Sequence, residues 1–242
     1  MEYGCRCRRV AAAKRIADIC IAVIGFAVLL VLFIPIFCAI RVSSSGPVIF
    51  RQTRVGVNRR SRQSAAQNGA RRCVDMGGKP FVMYKFRSMR CTGDATAKLS
   101  VPGDQRITGV GAVLRRTHID EMPQFWNVLK GDMSVIGPRP EQVEISMRYV
   151  RDVAPYAQRM SKVKPGITGL AQILQGYINS IDDVARTAQL DTTYGGSLRS
   201  LWSWLRMDVW ITLITMRYLI GRWRPPVAPA VRPAPLRSEH EQ

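Results

Sequence analysis

The longest departure from a mixed polar pattern is Ile19–Ile40, 22 residues (ICIAVIGFAVLLVLFIPIFCAI) without a charge. As one helix it extends about 33 Å, enough to cross a hydrocarbon core of about 30 Å. Basic residues flank both ends, Lys14 and Arg15 before it and Arg41, Arg51 and Arg54 after it. An excess of positive charge on one side therefore assigns no orientation. Pro35 falls inside the run, where it removes an intrahelical hydrogen bond and favours a kink. Two readings stay open: a spanning helix, which hydropathy alone selects, and a helix that enters the bilayer, bends near Pro35 and returns to the same face. A secretory signal is set aside, because the run is long for one and no small-x-small cleavage pattern precedes the folded part.

The rhythm changes after Ser43-Ser44-Ser45-Gly46. PVIFRQTRVG reads as a strand and GKPFVMYKFRSM (78–89) as its partner, with an arginine-rich polar loop (58–78) between them. Residues 92–106 are rich in turn formers. Thr108 is placed to cap a short helix through Arg116. Glu141 to about Met160 alternates apolar and charged residues at helical spacing, and KVKPGITGLAQ (162–172) reads as a structured loop. Ser180 followed by Asp182 and Asp183 predicts a capped helix to about Tyr194. Leu198, Leu201, Trp202, Leu205, Val209, Leu213, Met216 and Ile220 make a second apolar stripe at helical spacing. Arg206, Asp208 and Arg217 interrupt it, which argues against spanning. It suits either a core-packed helix or one lying in the headgroup zone. The end is a proline-rich tail.

Composition narrows the partners. Apolar residues make up 47% and charged residues 22%, as expected of a folding chain. A net charge of +19 calls for a polyanionic partner: nucleic acid, an anionic lipid surface or phosphorylated substrates. The six cysteines form no CxxC pair and no metal-ligand register with histidine, which indicates a reducing compartment.

The candidate chemistry lies in Thr117–Pro140, THIDEMPQFWNVLKGDMSVIGPRP. It sets the carboxylates Asp120 and Glu121 just ahead of Pro123. A plain helix start explains acidic residues followed by proline. The surrounding cations, Lys85, Arg87, Arg106, Arg115 and Arg139, favour a phosphate site, since guanidinium is the planar donor for phosphate oxygens. A carboxylate there serves to hold Mg²⁺ or to attack phosphorus. Histidine is scarce, with only His118 and His240, so chemistry built on a histidine base is poorly supported.

KRIAD, the apolar run with its internal proline, GPVIFRQTRVG, GKPFVMYKFRSM, RITGVGAVLRRTHIDEMPQFWNVLKGDMSVIGPRP and VKPGITGLAQ follow one another in an order that resembles the bacterial sugar transferases. These are small monotopic phosphoglycosyl transferases that begin surface-glycan assembly. The resemblance covers roughly residues 14–220. It implies an α+β fold with a re-entrant N-terminal helix broken at Pro35, a small β-hairpin and several helices, some interfacial. It implies transfer of a sugar 1-phosphate from a nucleotide-sugar, usually UDP-linked, to polyprenyl phosphate at the cytoplasmic face of the inner membrane, with Mg²⁺.

By the same resemblance, Asp120 is the nucleophile and Glu121 its partner, both candidates for the metal. Lys85, Arg87 and Arg115 bind phosphates, and Pro138-Arg139-Pro140 meets the nucleotide. The organisation expected is a basic N-terminus and membrane helix (1–45), a catalytic domain (46–197), an interfacial helix (198–223) and a tail (224–242). Anionic lipids and other glycan-assembly enzymes are the further partners expected.

Three features depart from the family pattern. Ile34 precedes Pro35 where serine is common, the 58–78 loop is long, and ILQGYINS follows LAQ where many members carry an arginine. Two other readings are a nucleic-acid-binding membrane protein and a catalytically silent scaffold for other glycan enzymes. The first has no helix-turn-helix, RNP or zinc pattern to support it, and nucleic acid is not expected as a partner.

Overall fold

The architecture hangs on helix α1 (Glu2–Ser43), which is continuous through Pro35. The structure is a computed structural model that describes residues 2–221 apart from 58–77, 91–103, 162, 177 and 179. The arginine-rich loop, most of the turn-rich 92–106 stretch and the proline-rich tail therefore lie outside the described residues. The expected break at Pro35 is not a helix end. Pro35 removes one backbone donor, while Phe33, Ile36 and Ile40 on either side of it share one apolar cluster with Leu29, Val48, Phe86 and Leu114.

One face of α1 rests on the rest of the protein along most of its length. Val10, Lys14, Asp18, Ala22, Leu29 and Ile40 are buried, at intervals that keep a single helical stripe inward. The opposite face is apolar and bare, with Ile24, Leu30, Val31 and Ile34 each more than half exposed. The KRIAD motif supplies the polar anchors. Lys14 Nζ lies 2.9 Å from Asp208 Oδ2. Arg15 donates to the carbonyls of Val128 and Leu129 at 2.6 and 2.8 Å. Asp18 Oδ1 accepts from Ser134 Oγ and the Val135 N–H at 2.9 and 3.0 Å.

Strands β1 (Ile49–Val55) and β2 (Pro80–Phe86) form the expected antiparallel hairpin, in register from Ile49 opposite Phe86 to Val55 opposite Pro80. Helix α2 (Gly109–Arg116) starts as predicted, with the Thr108 side chain accepting from the Gly111 N–H. A 3₁₀ turn (Ile119–Glu121) and helix α3 (Gln124–Lys130) follow. Asn127 of α3 is fully buried and closes the outer edge of β2. Its Nδ2 donates to Val82 O at 2.7 Å, and its Oδ1 accepts the Tyr84 N–H at 3.1 Å.

Two short strands escaped the sequence pattern. β3 (Ser134–Ile136) pairs in parallel with β4 (Gly166–Thr168), so the predicted 162–172 loop is in part a strand, followed by a short helix. Three-residue strands carry too few positions to show a period of two. The helix expected over Glu141–Met160 is divided into α4 (Val143–Asp152) and a 3₁₀ turn (Ala154–Gln158). Pro155 accounts for the division, because it lacks an N–H and disfavours helical geometry at the residue before it. Helices α5 (Leu170–Leu174) and α6 (Ile181–Ser197) complete the region, the latter opened by a reciprocal capping box between Ser180 and Asp183.

Helix α7 (Leu201–Leu219) packs on the core by a face other than the expected stripe. Trp204, Ile211 and Ile214 are buried, the last two against Ile136, Val163 and Tyr194. The stripe of Leu201, Trp202, Leu205, Val209, Leu213, Met216 and Ile220 faces outward instead. Asp208 ties this helix to α1 and α6, accepting from Lys14, from Tyr194 Oη at 2.8 Å and from Trp204 Nε1 at 2.6 Å.

The seam between α1 and α3 is close enough to require glycine at position 25. A Cβ there would stand 2.4–2.6 Å from three ring atoms of Phe125. Gly25→Leu is expected to cost about 1–3 kcal/mol through overpacking. A lower melting temperature of the detergent-solubilised protein, partly restored by adding Phe125→Ala, is the result that checks it.

Candidate active site

The site is assembled from four pieces of chain: the end of β2, the 3₁₀ turn, the Gly137–Pro140 turn after β3, and β1. Asn127 fixes β2 against α3, and the next residues outward carry Lys85 to the carboxylates. Lys85 Nζ lies 2.6 Å from Glu121 Oε1, and Arg139 Nη2 lies 3.7 Å from the same oxygen. The sequence reading expected Asp120, Glu121, Lys85 and Arg139 to meet, and the fold brings them together. Met83, Lys85, Gln124, Arg139 and Pro140 line a narrow recess with Arg54 and Gly166.

The two carboxylates differ. Burial alone would push Glu121 up, but the attraction of Lys85 and Arg139, with the Lys85 hydrogen bond, outweighs it and holds Glu121 down at about 2. Asp120 is only 8% exposed, and among the described residues it makes no hydrogen bond or ion pair. Burial raises its pKa and the Glu121 charge raises it further, against the opposing pull of Lys85, His118 and Arg115. One carboxylate is thus tied as an ion pair, while among the described residues its neighbour has no such partner.

Arg54 was not singled out as a site residue by sequence reasoning, although it lines the recess. Burial first, and Arg139 beside it, lower Arg54 to about 10, with Glu141 resisting at 3.8 Å. Its position in β1, opposite Phe81, is what delivers it; no local signal distinguished it from Arg51. His118 precedes the carboxylates in left-handed backbone geometry (φ 56°), and its ring packs 5.5 Å from that of Tyr218 on α7. Pro138 is fully buried and Pro140 lies at the recess.

Arg87 requires a correction. It was expected at the phosphates, yet it is buried away from the site and donates to Ile40 O and Ser44 O, at 3.3 and 2.6 Å, at the C-terminal end of α1. β2 ends at Phe86, so strand alternation does not carry Arg87 onto the face of Lys85. Its role there is that of a cationic cap on a helix C-terminus.

A basic, mostly buried site with one paired and one unpaired carboxylate suits phosphate chemistry. Comparison with known proteins gives the same direction: the family described as bacterial sugar transferase matches residues 9–222. The chain belongs to this family. It is 38% identical over 208 residues, 86% of its length, to the UDP-N-acetylgalactosamine-undecaprenyl-phosphate N-acetylgalactosaminephosphotransferase of Aeromonas hydrophila, covering 43% of that protein. It is 39% identical over 188 residues, 75% of its length, to the UDP-glucose:undecaprenyl-phosphate glucose-1-phosphate transferase of Escherichia coli K12, covering 35% of it. A Bacillus subtilis protein named as a putative undecaprenyl-phosphate N-acetylgalactosaminyl 1-phosphate transferase is 38% identical over 153 residues, 63% of this chain and 75% of its own. The chain thus spans roughly two-fifths of the length of the first two relatives.

The Lys85–Glu121 pair makes a pH prediction. Because the folded Glu121 sits near 2, below its ordinary 4.5, its stabilising contribution is complete above about pH 4.5 and is lost as pH falls towards 2. Thermal denaturation of Glu121→Gln against the parent is expected to show a gap that is widest above pH 5 and closes as pH approaches 2. A gap independent of pH would contradict the ion pair.

Proposed function

We propose that this protein transfers a sugar 1-phosphate from a UDP-sugar to a polyprenyl phosphate at the inner face of the cytoplasmic membrane, beginning synthesis of an exopolysaccharide or other surface glycan. The observation that carries the reading is the division of labour between adjacent carboxylates. Glu121 is held by Lys85 and Arg139, whereas Asp120 is buried beside them with its oxygens uncommitted among the described residues. The names of the relatives supply the substrate classes.

In this reading an Asp120 oxygen attacks the phosphorus that bears the sugar. The bond from that phosphorus to the UMP phosphate oxygen breaks, and UMP leaves with its electron pair. The resulting acyl phosphate is then attacked at the same phosphorus by an oxygen of the polyprenyl phosphate, which returns the Asp120 carboxylate and yields the polyprenyl-diphosphate sugar. Neither nucleophile depends on a histidine base. An aspartate is ionised at neutral pH unless its pKa is raised by several units, and a phosphate monoester has a second pKa of about 6. Lys85, Arg54, Arg139 and Arg115 lower the cost of gathering these anions. Glu121, already neutralised, assists without competing for phosphorus.

Mg²⁺ fits the donor set. Among the described residues there is no cluster of three or more carboxylate, histidine or cysteine ligands, and Mg²⁺ is commonly held by one or two carboxylates together with substrate phosphates. Asp120 and Glu121 would hold it, and when bound it would supply neutralising charge at the diphosphate.

Membrane placement is read from two bare apolar faces, one on α1 and one on α7. The inward stripe of α1 touches the folded part from Val10 to Ile40, about 45 Å of helix. A helix crossing the bilayer could not keep such contact while the polar domain stayed in water. This supports a helix that lies along the surface, sunk into one leaflet, with both ends cytoplasmic. Arg206 and Arg217, both exposed on α7, suit anionic headgroups.

Asp120→Asn is expected to give folded, membrane-associated protein whose Mg²⁺-dependent UMP release, screened across UDP-sugars, falls by about three orders of magnitude or more. Retained turnover would remove Asp120 from the chemistry. For topology, single cysteines at Ala11 and Ser45 are expected to react with an impermeant thiol reagent from the cytoplasmic side alike. Labelling from opposite sides would establish a spanning helix.

A further inference from the structure

The Gly137–Pro140 turn that presents Arg139 is held by donors from three distant parts of the chain. Pro138 O accepts the Gly166 N–H at 2.8 Å, Arg139 O accepts Arg159 Nη2, Pro140 O accepts Arg54 Nη1 at 3.1 Å, and Glu141 O accepts the Val55 N–H at 2.9 Å. Four successive carbonyls are occupied. The approach of Gly166 is so close that a Cβ on it would stand 2.1 Å from Gly137 N.

Among these donors Arg159 stands apart, because it is a buried charge outside the site. It is 3% exposed, and its Nη1 donates to Tyr156 Oη at 2.7 Å. Its guanidinium carbon lies 4.6 Å from the centre of the Tyr156 ring, and its Nε lies 3.4 Å from Oδ2 of Asp191, itself 1% exposed on α6. A buried ion pair is costly to desolvate and, as a source of stability alone, is often replaceable by apolar residues. Here its remaining donor reaches one backbone carbonyl, that of the residue whose side chain faces Glu121.

We infer that Arg159, oriented by Asp191 and Tyr156, is a positioning residue that sets Arg139 for the nucleotide part of the donor. The guanidinium holds the Arg139 carbonyl from below, and the Arg139 side chain, which stands 3.7 Å from Glu121, meets the diphosphate from a fixed turn. Arg159 itself touches neither substrate. The inference rests on the reading that Arg139 serves the nucleotide-sugar.

The test uses the full chain in detergent with Mg²⁺ and the UDP-sugar that supports UMP release, with UMP as a second probe. Arg159→Lys keeps the charge and loses the planar fork. It is expected to raise the donor KM and the UMP inhibition constant together by about tenfold, with the acceptor KM within about twofold of the parent. In an Arg139→Ala background the same substitution is expected to change neither constant by more than about twofold, because coupled residues lose their effect together. Equal changes in both backgrounds, or an unchanged donor KM, would overturn the inference and leave Arg159 a folding residue. Arg139→Ala with the parent's donor KM would instead sink the nucleotide reading, and the positioning role with it. If Arg159→Lys does not accumulate folded, Tyr156→Phe removes only the hydroxyl. It should shift both constants in the same direction by about two- to threefold, again only when Arg139 is present, and no shift would count against the proposal.

Discussion

Two neighbouring carboxylates in a mostly buried site repel one another, and the structure depends on how that repulsion is relieved. Lys85 sits 2.6 Å from Glu121 and Arg139 stands 3.7 Å away on the same oxygen, so one negative charge is offset in part where it stands, and, beyond burial, what remains still raises the Asp120 pKa. Asp120 beside it is buried and, among the described residues, has no hydrogen bond or ion pair of its own. The more distant pull of Lys85, His118 and Arg115 opposes the cost of burial without contact.

Bringing these groups together requires α1 and α7 to hold the polar region from one side. The contact between them is ionic: Lys14 on α1 meets Asp208 on α7, and Asp208 also accepts from Tyr194 and Trp204. Asp18, one turn on, binds Ser134 and Val135 at the start of β3, which leads directly to the Arg139 turn. The polar anchors that fix α1 thus also fix the strand that feeds the site. The apolar remainder of both helices is left facing out, and a lipid interface is the environment in which such surface is not a liability.

Features encoded by local rhythm were legible in the sequence. The hairpin, the Thr108 cap and the Ser180 capping box each follow from a few adjacent residues, and each is present. The grouping of Asp120, Glu121, Lys85 and Arg139 was legible because ordered motifs carried it. Other features depend on partners remote in sequence. The β3–β4 pair joins segments about 30 residues apart through backbone atoms alone. Arg159 and Asp191 look like ordinary surface charges until the fold buries them against each other. The stripe on α7 was visible, but periodicity states that a face is apolar and not which way it points. Arg87 failed for a simpler reason: its neighbours in the motif do reach the site, and the strand ends one residue before it.

The Pro138-Arg139-Pro140 turn shows why remote residues matter to a short motif. Two of its three residues have no backbone N–H, so the segment cannot close a hydrogen-bonded turn on itself. Its carbonyls still need donors, and buried carbonyls left unpaired are costly. The chain meets this with a glycine N–H from β4 and guanidinium groups from β1 and from beyond α4. The proline-rich turn is stiff, but its orientation is fixed from outside. A side chain that must meet a developing charge gains from such a mount, since errors of about 1 Å in placement are expensive in catalysis. The same dependence makes the turn sensitive to residues that never approach a substrate.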